Sequence, residues 1–153
     1  MTMLQKKLIA SLIYAAPFYF VLDSFDKFVL FGIGIGVGLL LLLADRRLFY
    51  AYYNDQGQTE EKYLATRSAI FLLTLIPLSL FVITSTMSLL GIGLVMSLIL
   101  NLIVEMSLYR RWPQAFKKRF LSEIAVKPEF KTVNQILLFA LSFFVVLNIL
   151  LVF

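Results

Sequence analysis

Apolar residues run through this chain in blocks, and the polar positions that separate them set its organisation. The first block, between Lys7 and Asp23, is short and interrupted by Pro17, and it predicts a kinked first helix over 8–25. Asp23, Ser24, Asp26 and Lys27 make a tight connection in which Asp26 is expected to cap the next helix, since a carboxylate there accepts from free backbone N–H groups. A second block over 28–44 ends at Asp45, Arg46 and Arg47. From 68 to 109 the only charged residue is Glu105, a run too long for one ordinary membrane span and right for two. The polar stretch 84–88 divides it into helices over 68–84 and 88–109, with Pro77 an expected kink in the former. A last block occupies 133–153, where Thr132 and Gln135 have the T-x-x-Q spacing of a capping box.

The connections have patterns of their own. Thr59 followed by Glu60 and Glu61 reads as a helix start, after a break at 54–58, and Tyr50, Tyr52 and Tyr53 read as an aromatic belt at the headgroups. Over 112–126, Trp112, Phe116, Phe120 and Ile124 recur every four residues, while Lys117, Lys118, Arg119 and Glu123 fall largely off that stripe. The pattern predicts an amphipathic helix lying in the interface plane, its cations on anionic lipid or a cytosolic partner.

Composition turns these blocks into membrane spans. Hydrophobic residues make up 61% of the 153 positions and charged residues only 15%, which leaves no room for a separate soluble domain. The expected fold class is therefore an all-α integral membrane protein, a bundle of about five transmembrane helices plus a short amphipathic interfacial helix, forming a single membrane domain over 1–153. The basic start followed by a short apolar stretch resembles a secretory signal in outline. Its apolar character continues through 18–22, so an uncleaved anchor is expected.

The net charge of +5 suggests nucleic acid until its distribution is read. With five spans, thirteen of the fourteen basic residues fall on one side and only Lys27 on the other. That asymmetry predicts a cell-membrane protein with a cytoplasmic amino terminus and an exported carboxyl terminus, and it removes the case for nucleic acid.

Residues 31–40 place Gly32, Gly34, Gly36 and Gly38 at alternate positions. The spacing does not match a G-x-G-x-x-G dinucleotide loop, and an isolated strand cannot satisfy its backbone in lipid. On a helix the four form two G-x-x-x-G ridges, Gly32 with Gly36 and Gly34 with Gly38, on nearly opposite faces. Each ridge admits a close neighbour, so this helix is expected to be sandwiched between two others, one of them available to a second copy of the protein. An unwound ion-binding segment ranks below helix packing.

Chemistry is restricted by what is missing. The chain has no cysteine and no histidine, which excludes disulfides, thiolate chemistry, Cys- or His-based metal ligation and the usual base of serine hydrolases. No cofactor, metal site or catalytic residue is implied. The one polar constellation inside a span is Gly93, Ser97, Asn101 and Glu105, continuing to Tyr109, spaced by four along one ridge. Glu105 reads either as a structural carboxylate neutralised by an arginine, with Asn148 and Thr74 as further interhelical partners, or as a proton- or cation-responsive group. Three functions follow in order: a structural or accessory subunit of a membrane assembly, homo- or hetero-oligomeric; an autonomous oligomeric carrier or channel for a proton, cation or small solute using that ridge; and an interfacial lipid-modifying enzyme using Glu105, Ser122 and nearby lysines.

Overall fold

The computed structural model describes residues 2–45, 65–86, 88–121, 124 and 128–152. These residues are almost wholly helical, and none of them is in a strand. Helix α1 spans Met3–Ala15, α2 Phe18–Val21, α3 Phe25–Ala44, α4 Ala69–Ser85, α5 Leu89–Tyr109, α6 Pro113–Phe120 and α7 Phe130–Val152, and a 3-10 turn over Ala65–Arg67 leads into α4. The stretches Phe25–Ala44, Leu89–Tyr109 and Phe130–Leu151 have 20, 21 and 22 residues and are apolar enough to cross a membrane. At 1.5 Å per residue each matches a hydrocarbon core about 30 Å thick. Helix α4 is also apolar but has 17 residues, and α1 with α2 is interrupted at Pro17. The tyrosines at 50, 52 and 53, the helix start at Thr59 and the side chains of Ser122 and Glu123 lie outside the described residues.

The polar breaks act as caps. Ser68 Oγ accepts from the N–H of Phe71 at 3.1 Å and Ser88 Oγ from that of Gly91 at 3.3 Å, so the serines flanking α4 and α5 satisfy donors that those helices leave free. Two cap expectations are corrected. Ser24, not Asp26, is the N-cap of α3, and Asp26 stands in its first turn. Helix α7 starts at Phe130, with Val133 N–H already bonded to Glu129 O, so Thr132 lies inside the helix. The T-x-x-Q signature closes its box instead at the start of α1, where Thr2 N–H donates to Gln5 Oε1 at 2.7 Å and Gln5 N–H to Thr2 Oγ1 at 3.3 Å.

Helix α5 is the axis of the bundle, with a continuous buried run from Val95 to Ile99. Its closest neighbour is α3, and glycine makes the approach possible. A Cβ at Gly34 would collide with the Leu90 carbonyl oxygen, one at Gly38 would stand 2.6 Å from Leu94 O, and one at Gly93 would collide with Phe31 O. A Cβ at Gly32 or Gly36 would meet nothing within 4 Å among the described residues. Within the chain Gly34 and Gly38 pack on α5, while the other ridge, which the expectation leaves to a second copy, has no close neighbour among the described residues. The pairings Phe31–Gly93 and Ile35–Ser97 make α3 parallel to α5, whereas Lys7–Glu105 and Ser11–Asn101 make α1 antiparallel to it. Arg110 Nε donates to Asn134 Oδ1 at 2.6 Å, joining the end of α5 to the start of α7, which is also antiparallel.

The amphipathic helix is shorter than the sequence pattern indicates. Helix α6 has 8 residues and stops before Leu121, and Ile124 is exposed outside it. Phe116 and Phe120 are completely buried and 5.0 Å apart, while Trp112 at the N-cap is 62% exposed. The aromatic face of α6 therefore packs into the bundle, not only on lipid, and carries Arg119 inward with it.

Candidate functional site

The ridge on α5 faces α1 and α3, and each of its polar residues is engaged there. Ser97 Oγ donates to the Ile35 carbonyl at 2.8 Å, a bond open to it because Gly34 and Gly38 bring the α3 backbone close. One turn on, Asn101 Nδ2 donates to Ser11 Oγ at 3.1 Å and to Ser97 O at 2.8 Å. Another turn on, Glu105 ends the ridge among three cations. Its Oε1 accepts from Arg67 Nε at 2.7 Å and from Arg119 Nε, and its Oε2 accepts from Arg67 Nη2 at 3.1 Å and from Lys7 Nζ. Gly93, Ser97, Asn101 and Glu105 are all buried, the last three with no exposed surface.

Arg67 organises the cluster. Its Nε and Nη2 fork Glu105, and its Nη1 donates to Asp45 Oδ2 at 3.2 Å, so one guanidinium joins the carboxylates closing α3 and α5. The planar five-donor fork suits it to this double role, which a lysine could not fill. Asp45 Oδ2 also accepts from the Thr66 N–H at 3.1 Å and from its hydroxyl, which orients the 3-10 turn that carries Arg67. Arg119 reaches Glu105 from α6, with its guanidinium 5.1 Å from the centre of the Tyr109 ring. Three cations thus face two carboxylates, and each of the five except Arg119, at 16% side-chain exposure, is almost wholly withdrawn from solvent. Such burial is tolerated because each charge has an opposite partner and charge-assisted hydrogen bonds, while removing one partner strands the rest.

Two buried oxygens have no hydrogen-bond partner among the described residues, Asp45 Oδ1 and Asn101 Oδ1. Among those residues no group of three or more acidic, cysteine or histidine side chains is arranged to hold a metal ion.

The spacing of polar residues on α5 locates the ridge and implies an arginine for Glu105, whereas Lys7, Arg67 and Arg119 fall in segments whose pattern is solvated or lipid-facing. All three are part of the cluster. Asp45, Ser11 and Thr66 were not singled out at all. A signal for Ser11 is present in the sequence: Lys7 and Ser11 are one turn apart, and they are the buried residues of α1. The other proposed partners of Glu105 are elsewhere. Asn148 accepts from the Tyr14 hydroxyl at 2.9 Å, and Thr74 donates to the Phe71 carbonyl of its own helix.

No protein-family model, curated protein or solved structure matches the chain.

Proposed function

We propose that this chain is a multi-pass cell-membrane protein with five spans and a cytoplasmic amino terminus, acting as a structural or accessory subunit of a membrane assembly. The observation carrying this reading is the enclosure of the polar ridge: Ser97, Asn101 and Glu105 bond to α1, α3, α6 and the turn before α4, and none of the three has exposed surface. A carrier needs a solute to reach such groups; a scaffold needs them to hold its helices in register.

The topology has independent support. Lys7 near the start of α1, Asp45 at the end of α3, Arg67 before α4 and Glu105 near the end of α5 meet in one cluster. Helices whose starts and ends meet in this order run alternately up and down, in keeping with five crossings and with basic connections collected on one face. The open Gly32–Gly36 ridge on α3 supplies a face on which a helix of a neighbouring subunit or a second copy fits closely. Anionic lipid at the cytoplasmic face is the further partner, and nothing favours nucleic acid.

The test is native mass spectrometry of the protein extracted gently from its own membrane. A defined complex, with other proteins or with further copies, is the expected result; a lone chain under conditions that preserve other complexes overturns the subunit reading. The carrier reading keeps one favourable observation, the unpartnered buried oxygens of Asp45 and Asn101, which are acceptors a proton or cation would satisfy. The lipid-modifying reading has none: Glu105 is held by three cations, and Ser122 lies outside the described residues.

A further inference from the structure

Helices α4 and α7 touch each other and α5, and between the three lies a cleft of about 450 Å³ that opens to the outside. Its walls are Leu72 and Ile76 of α4 and Phe139 and Ala140 of α7, and its floor is Leu102 and Met106 of α5. The gap has a physical origin. Where α3 meets α5, glycines let the backbones touch, but on this side α5 carries Ile99, Leu102, Ile103 and Met106, which hold the neighbouring helices away. The volume lies within the roughly 300–1,000 Å³ of ligand-holding cavities.

We propose that the cleft holds an acyl chain of an anionic phospholipid, with its headgroup at Lys131. The open side of the cleft faces bilayer hydrocarbon in the membrane reading above, on which this inference rests, and its lining is apolar except for Gln135 at one end. Gln135, Phe139 and Phe143 are one turn apart along the α7 wall, and Lys131 extends the same stripe by one turn past the cleft. Lys131 is exposed, has no ion pair among the described residues, and lies where a lysine reaches out toward the headgroups. An apolar slot ending in a free cation is complementary to one amphiphile, an apolar tail carrying a negative head. A transmembrane helix fits less well, because large Leu, Ile and Phe side chains line the slot whereas close helix docking uses small residues, as at Gly34 and Gly38.

The experiment uses the full chain reconstituted in vesicles of equal phosphatidylglycerol and phosphatidylcholine, extracted in mild detergent and weighed intact. The expected result is one retained phosphatidylglycerol per chain. Ala140→Phe, which fills the cleft from α7, lowers retention about tenfold or more; Leu73→Trp does so from the largely exposed α4 wall and provides a second variant if the first fails to fold. Lys131→Gln keeps a lipid but loses the preference for phosphatidylglycerol, by about fivefold, the contribution of one basic residue near a membrane surface. Wild type without bound lipid, equal retention of the two lipids by wild type, or retention unchanged in both filled variants overturns the proposal. So does a lipid-free dimer that Ala140→Phe dissociates, which assigns the slot to a helix of a second copy. The readout is made on the isolated chain, so a negative result leaves the subunit reading standing, and a lone chain in native membranes leaves this inference standing.

Discussion

Lys7 and Glu105, 98 positions apart, form an ion pair with almost no solvent exposure at either side chain. Glu105 also carries Arg67 and Arg119, so its carboxylate joins α1, the turn before α4, and α6 to α5. Glu105→Gln leaves three buried cations facing Asp45 alone, and the expected loss of stability is about 3–5 kcal/mol. Thermal unfolding in mild detergent measures it. A Glu105→Gln protein that unfolds with wild type yet alters cation-dependent flux would favour the carrier reading instead.

The pair is expected to be coupled rather than additive. Lys7→Gln alone leaves Glu105 two guanidinium partners and costs less than Glu105→Gln. In the double variant the Lys7 change is expected to recover part of the loss, because it removes a buried cation whose partner is already gone. Full additivity in a double-mutant cycle would mean that the contact does not contribute in the folded protein.

The glycines divide by face. Gly34→Ala places a Cβ on the Leu90 carbonyl and Gly38→Ala places one 2.9 Å from Ser97 Cβ, and each is expected to cost about 1–3 kcal/mol from overpacking. Gly32→Ala and Gly36→Ala enter open space and stay within about 1 kcal/mol of wild type. Leucine at the same two positions leaves the isolated chain folded and reduces its recovery in a native complex. If those variants assemble normally, the subunit contact lies on another face.

These divisions mark how far the sequence could be read. Helices α3, α4, α5 and α7 were legible because blocks of about 20 apolar residues have few alternatives. The α5 ridge was legible because its polar residues repeat every four positions in an apolar background. The partners of the ridge were not, since burial of Lys7 and Arg67 depends on a three-residue turn and on helix ends that fold back to one point, and neither has a period. The choice between the glycine ridges was also hidden in α3 itself, where the two are equivalent. The deciding signal is on α5: Gly93 and Ser97 form a small-x-x-x-small surface, whose shape and not its polarity selects the ridge of α3 that packs there.

Helix α6 is held by two aromatic side chains. Phe116 and Phe120 have no exposed surface and lie beside the arginine that reaches Glu105. Phe116→Ala or Phe120→Ala is expected to cost about 3–5 kcal/mol and to free Arg119 from the cluster, whereas Trp112→Ala at an exposed site leaves unfolding unchanged. Paired unfolding curves check this; a large effect at Trp112 with none at Phe116 would mean that α6 lies on lipid without packing on the bundle.

The direction of each helix can be tested without disturbing the cluster. Because the chain has no cysteine, single cysteines give an unambiguous label. Ser24 precedes α3 and Thr86 follows α4, both at the ends of helices remote from the one where Lys7, Asp45, Arg67 and Glu105 meet. Cysteines at Ser24, Thr86 and the carboxyl terminus are expected to react with a membrane-impermeant maleimide applied to sealed cells, and one at Gln58 only after lysis. The positions are informative together. Label at Gln58 in sealed cells overturns the five-span arrangement, and protection at all three expected outer sites with Gln58 also protected removes the assignment of an exported face. The expected pattern places the charge cluster toward the cytoplasmic ends of the helices, where burial in protein must substitute for the water that a surface ion pair retains.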